Sequence, residues 1–216
     1  MKRLIIYDLD GTLVDTGDDI VQAVNAVVAS MGSPPLPPHE IRAGVGGGVA
    51  NLIARSLNIH DPARIEAGVR LFRDYYGAHL TDHSRLYPGV RELLDHFRTR
   101  IQVVLTNKPD PHARELLTAL GVAQMFARIL AADARVPVKP DPAAAHALLS
   151  QYRIGAEDAL LVGDSPIDIE TGRRAGILTV VVSQGFSDAA TLRAAAPDFL
   201  ARDVSDVLAL ARRHRW

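Results

Sequence analysis

Nearly continuous apolar segments alternate with amphipathic ones through most of the chain, and this alternation predicts an α/β fold: a doubly wound parallel sheet, Rossmann-like, with helices on both faces. Residues 16–84 carry only helical periodicity. An all-helical cap domain is therefore expected as an insertion, with residues 1–15 and 85–216 forming the core. No apolar run is long enough to span a bilayer, so no membrane partner is expected.

The elements follow in order. Leu4-Ile5-Ile6-Tyr7 is a short apolar run that stops at Asp8 and Asp10, with Gly11 allowing a sharp turn. It reads as a buried strand ending at a site. Thr16 stands as the cap of a helix with Ile20, Val21, Val24, Val27, Val28 and Met31 on one face, which ends at Gly32 and a proline run. A turn of helix is expected at His39 to Arg42, then a Gly44–Gly48 loop. That loop follows a proline-led helical stretch rather than a strand, which argues against a dinucleotide fingerprint. Val49, Leu52, Ile53 and Leu57 continue helically, and Asp61-Pro62 opens a helix carrying Ile65, Val69, Phe72 and Tyr76 on one stripe. Tyr87-Pro88-Gly89 reads as the hinge back to the core.

From there helices at Val90 to Arg98, Pro111 to Leu120, Pro142 to Tyr152 and Pro166 to Ala175 alternate with strands at Ile101 to Leu105, Ala127 to Ala131, Ala159 to Val162 and Leu178 to Val182. A weak strand at Phe199-Leu200 and a helix from Val204 to Arg212 close the chain. In such sheets ligands collect beyond the carboxyl ends of the strands, where Asp8, Thr106 and Asp164 all fall.

Composition narrows the function. The formal charge of -1 gives no general attraction to nucleic acid. The lack of cysteine excludes disulfides, thiolate metal sites and a cysteine nucleophile. The apolar run after Lys2 and Arg3 is too short for a signal-peptide core, and the cytoplasm is the expected compartment. Nothing in the sequence decides oligomeric state.

Asp8 and Asp10 are spaced i, i+2, so they project to one side if extended geometry persists. Two close anions repel, and a divalent cation is the simplest remedy. A solvated turn uses the same residue types. The stretch Asp8-Leu9-Asp10-Gly11-Thr12-Leu13-Val14-Asp15 resembles the first motif, DxDGTLxD, of the haloacid-dehalogenase-like phosphohydrolases. Thr106-Asn107-Lys108, Lys139-Pro140 and Gly163-Asp164-Ser165-Pro166-Ile167-Asp168 match later motifs in the family's order, so the resemblance covers essentially the whole chain.

The resemblance implies a phosphohydrolase acting on a small phosphorylated metabolite. Asp8 is then the nucleophile, forming an aspartyl phosphate, and Asp10 the acid and base. The family's Mg2+ site falls to the Asp8 carboxylate, the Asp10 main-chain carbonyl and Asp164. Thr106 and the main-chain N–H of Asn107 are implied phosphate donors, and Lys139 a point charge beside them. Asp168 falls in the first turn of a helix capped by Ser165, either as a helix-stabilising carboxylate or as a group orienting Lys139 or the metal's waters. Lysine occurs only at Lys2, Lys108 and Lys139, which singles out Lys139 in the loop Val136 to Pro140; Lys108 reads as lying beside the substrate entrance or facing water.

Among relatives, dehalogenases lack the second Asp, which is present here as Asp10. Phosphonoacetaldehyde hydrolases use a cap lysine, and residues 16–84 hold none. Mutases carry a cap histidine at the position of Ile20. The Thr106 to Pro109 and Ile41 to Gly48 segments are most similar to phosphoglycolate phosphatases, with Arg42 either a grip on a second anionic group or a surface helix residue. Sugar-phosphate, nucleotide and pyrophosphate hydrolases, and phosphomutases, stay open as alternatives. A receiver-type phosphorylation module is the contrasting class; it lacks the i, i+2 spacing and the helical insertion.

Overall fold

Strand β1 (Leu4–Tyr7) is the middle of the molecule, and all four of its side chains are completely buried. In the computed structural model, which describes residues 1–132 and 137–216, it lies between β4 (Ile101–Pro109) and β6 (Ala159–Gly163), parallel to both. With β5 (Arg128–Ala132), β7 (Leu178–Val182) and β8 (Phe199–Ala201) the sheet order is β5-β4-β1-β6-β7-β8, parallel throughout. Val136, the first residue of the Lys139 loop, lies outside the described residues.

Alternation along the strands sorts the core into two faces. Ile5, Tyr7, Val104, Leu160 and Val162 face one side, against α5 (Val90–His96), α6 (His112–Ala119) and α10 (Val204–His214). Leu4, Ile6, Val103 and Leu161 face the other, against Ala144, Ala145, Leu148 and Leu149 of α7 (Ala143–Tyr152) and Ala175 of α8 (Pro166–Ala175). Burial on both sides explains why these strands read as unbroken apolar runs.

Between β1 and β4 the chain makes its helical excursion: α1 (Gly17–Ser30), α2 (Pro38–Arg42), α3 (Val49–Leu57) and α4 (Pro62–Ala78). Val24, Val27 and Val28 of α1, Ile53 of α3 and Phe72 of α4 pack into the apolar cluster that continues from the first sheet face. The excursion leaves and returns through an antiparallel two-rung ribbon, β2 (Val14–Asp15) against β3 (Arg85–Leu86), with Val14 opposite Leu86. Sequence periodicity gave no sign of this ribbon because each strand is two residues long. It also missed α9 (Ala189–Ala194), capped by Asp188.

Thr16 is at the N-cap of α1 but caps nothing with its side chain; its hydroxyl donates instead to Asp10 Oδ1 at 2.8 Å. The capping expectation is corrected on that point: the side chain is turned toward Asp10, which accepts its hydrogen bond, and the Thr16 backbone (φ −107°, ψ 4°) is not in the extended conformation of an ordinary capping residue. Among the described residues no helix is long and apolar enough to cross a membrane.

Candidate active site

Register brings the candidate residues together. Tyr7 pairs with Val104 on one side and Val162 on the other, so the residues just beyond, Asp8, Thr106 and Asp164, emerge side by side. The Asp8 N–H still donates to Val162 O, fixing the backbone at the strand end. Asp8, Thr106, Lys139, Asp164 and Asp168 are all buried, as is Lys108.

Asp8 Oδ1 lies 2.8 Å from Lys139 Nζ, which also donates to Asp168 Oδ1 at 2.7 Å. The other Asp168 oxygen accepts from Ser165 Oγ and the N–H groups of Ser165 and Asp164. Ser165 and Asp168 form a reciprocal capping box at the start of α8, so one residue both caps the helix and holds Lys139. Asp168 thus lies both at the head of α8 and against Lys139. Asp164 Oδ2 accepts from the Phe186 N–H at 2.8 Å. A β-carbon on Gly11 (φ +82°) would collide with this carboxylate, and one on Gly163 with Asp168. Only glycine permits those two approaches.

Oxygens of Asp8, Asp164 and Asp168 lie within 4.8 Å of one another. Asp168 has an ammonium and three further donors on its two oxygens, whereas Asp164 has one N–H at 2.8 Å and the Thr12 hydroxyl at 3.4 Å and Asp8 has one ammonium, so Asp8 and Asp164 are the less satisfied carboxylates of the three. Counting Asp10, four carboxylates face two ammonium groups, Lys139 and Lys108. Burial first of all, then Asp168 and Asp10, pushes the Asp8 carboxyl up to about 6 against the opposing pull of Lys139. Burial, with Asp8 and Asp168 beside it, holds Asp164 well above the ordinary carboxylate range. Burial alone would lower Lys139, but Asp168 and Asp8 outweigh it and keep the ammonium charged. The donor set, hard oxygens carrying uncompensated negative charge, fits a divalent metal ion.

Asp10 points elsewhere. Its Oδ1 accepts from Thr16 and from Lys108 Nζ at 2.9 Å. Lys108 also donates to the Tyr76 hydroxyl of α4 at 2.7 Å, and its ammonium lies 4.4 Å from that ring's centre. Lys108 therefore does not face water. The sequence missed its place because its partner is 32 residues away; the scarcity of lysine was the one signal for it. Asn107 uses its side chain rather than only its backbone: Nδ2 donates to Gly46 O of the helical insertion and to Lys139 O, while Oδ1 accepts from Lys139 N–H. It ties the Lys139 loop and the Gly44–Gly48 loop to one point. Thr106 Oγ1 accepts from Lys108 N–H, which leaves its O–H to donate.

Asp8, Asp10, Thr106, Asn107 and Lys108 line a cavity of about 50 Å³ roofed by the insertion. Arg42 is not among the lining residues; it pairs with Asp18 on α1 at 2.6 Å.

Comparison with known proteins agrees with this geometry. The family model described as haloacid dehalogenase-like hydrolase matches residues 5–182. The chain belongs to this hydrolase family. As a haloacid dehalogenase-like hydrolase it is 31% identical to a phosphoglycolate phosphatase of Haemophilus influenzae over 96% of this chain and 97% of that protein. It is 36% identical to one of Chromobacterium violaceum over 89% and 90%. A crystal structure of a Haemophilus somnus protein, described as a predicted phosphoglycolate phosphatase, superimposes with a TM-score of 0.91 at 29% identity, covering 97% of this chain and 98% of that one.

Proposed function

We propose that this hydrolase is a Mg2+-dependent phosphatase that cleaves a small phosphate monoester through an aspartyl-phosphate intermediate, with 2-phosphoglycolate the leading substrate. The observation that carries the reading is a buried Asp8 held by Lys139, with Asp10 beside it and an excess of negative charge around Asp164. The named relatives support the substrate. Sugar phosphates, nucleotides and pyrophosphate are the alternatives. In this reading residues 1–15 and 85–216 form the catalytic core, residues 16–84 the cap, and the cytoplasm is the compartment.

Asp8 attacks phosphorus in line with the leaving oxygen. The bond to that oxygen breaks, and Asp10 gives it a proton. Water, losing a proton to Asp10, then attacks the phosphoryl group on Asp8 and releases phosphate. Throughout, Thr106 O–H, Asn107 N–H and Lys139 offset the charge on the phosphoryl oxygens. Asp168 orients Lys139, and the roof of the cavity excludes bulk water. Asp8, the Asp10 carbonyl and Asp164 would hold the Mg2+, which when bound supplies positive charge that lets an anionic nucleophile approach an anionic ester.

The test is phosphate release from 2-phosphoglycolate with Mg2+ and with EDTA, in the wild type and in Asp8→Asn. The wild type turns over only with Mg2+, and the variant is inactive while folded. A folded Asp8→Asn protein that releases phosphate at the original rate overturns the assignment.

A further inference from the structure

The chemistry above gives Lys108 no task, yet it is one of three lysines and is buried. Its ammonium has three N–H donors. Among the described residues one serves Asp10 and one the Tyr76 hydroxyl, which leaves a third beside the cavity it lines. The insertion's other contributions to that cavity are largely apolar: Ile20, Val45, Val49, Leu52 and Phe72.

We propose that Lys108, positioned by Tyr76, recognises an anionic group on the leaving half of the substrate, so that the site selects small phosphate esters whose alcohol carries a carboxylate. This rests on the phosphatase reading and assigns its specificity.

Four considerations fix the direction. Lys139 lies between Asp8 and Asp168 on the phosphoryl side, whereas Lys108 touches Asp10, the group that protonates the leaving oxygen. The Lys108 ammonium therefore sits where the departing alcohol emerges, with an N–H beyond those given to Asp10 and Tyr76. A buried ammonium in apolar surroundings attracts an anion far more strongly than one in water. By contrast, the insertion meets a polyol mainly with Val45, Val49 and Leu52, and each hydroxyl left against them without a partner carries a cost. The space is also small, about 50 Å³, which disfavours a bulky leaving group.

Tyr76 belongs to α4, so the subsite is complete only with the insertion seated on the core. From the core side His112 packs on the Tyr76 ring edge-on, with centres 5.5 Å apart, and holds it in place. Arg42, the sequence's candidate for this grip, pairs with Asp18 and does not line the cavity.

The experiment compares kcat/KM for 2-phosphoglycolate and for 2-hydroxyethyl phosphate, which replaces the carboxylate with a neutral alcohol of similar size. The wild type favours the acid by about a hundredfold or more. Lys108→Met removes most of that preference, chiefly through KM, and Lys108→Arg restores part of it. Tyr76→Phe, which keeps the ring, reduces the preference by a smaller factor; circular dichroism confirms that each variant folds. If Lys108→Met slows both esters by one factor, Lys108 only supports Asp10 and the inference fails. If the wild type turns over both esters without preference, the inference fails and the phosphatase reading stands. If it turns over neither, the phosphatase reading fails and takes the inference with it.

Discussion

Asp168→Asn is the sharpest test of how the site is held together. The native carboxylate is completely buried and uses both oxygens: one accepts from Lys139 Nζ at 2.7 Å, the other from Ser165 Oγ at 2.6 Å, Ser165 N and Asp164 N. Asparagine has nearly the same shape but only one accepting oxygen. Turned either way, its amide N–H₂ faces a donor: the Lys139 ammonium, or the backbone N–H groups and hydroxyl at the head of α8. A hydrogen bond to a charged group contributes about 1.5–3 kcal/mol, and breaking a buried ion pair costs about 3–5 kcal/mol. Lys139 keeps Asp8, so a loss of about 3 kcal/mol is expected, equivalent to a fall in Tm of about 6–12 °C for a chain of this size. Urea unfolding at pH 7.5 in EDTA measures it. A cycle with Lys139→Met and the double variant isolates the pair, and its coupling should exceed about 1 kcal/mol. A loss under about 1 kcal/mol, or single effects that simply add, would refute the idea that Asp168 holds Lys139 in place.

Two more predictions concern charge. With the metal removed, Asp8 is raised to about 6, so its contribution to stability is present below about 4 and is lost as pH rises through about 6. Asp164, also raised, acts in the same direction. Mg2+ meets the deprotonated pair, so its increase in Tm should be larger at pH 7.5 than at pH 5; an equal or reversed shift in a thermal scan counts against the Asp8–Asp164 metal site. Away from the site, Asp19 of α1 is buried and accepts from His83 N at 3.0 Å, Ser84 N at 2.8 Å and Ser84 Oγ at 2.6 Å, bonds that outweigh burial and hold its carboxyl below the ordinary range. Its contribution is therefore present above about 4 and fades as pH falls through its lowered folded value. Asp19→Ala should cost about 3 kcal/mol near neutrality, and a loss no larger than that of an exposed carboxylate would sink the proposal.

What the sequence made legible was local or periodic. The four apolar residues of β1 and the alternation that follows announced the sheet, and Ser165 with Asp168 three residues on announced the cap of α8. Convergence of Asp8, Thr106 and Asp164 followed from the rule that sites lie beyond strand ends. The hidden features depend on pairs far apart in the chain. Lys108 meets Tyr76 across 32 residues, and Asp19 meets Ser84 across 65. Tyr76 stood in an apolar stripe and read as core, which its ring is; its hydroxyl has a second use that no periodicity encodes. Thr16 stands at the N-cap position the sequence gave it, but its hydroxyl turns to Asp10, six residues earlier, rather than to the helix.

The ribbon of β2 and β3 has a consequence for mechanics and for descent. Because Val14 and Leu86 are neighbours, some seventy intervening residues hang from a narrow neck, and the polypeptide departs and rejoins at nearly one point. Two rungs of pairing tether both ends of the roof at one place. Whatever is grafted at that neck can be enlarged, trimmed or exchanged while the strands beneath keep their order, which lets substrate choice change without rebuilding the reaction centre.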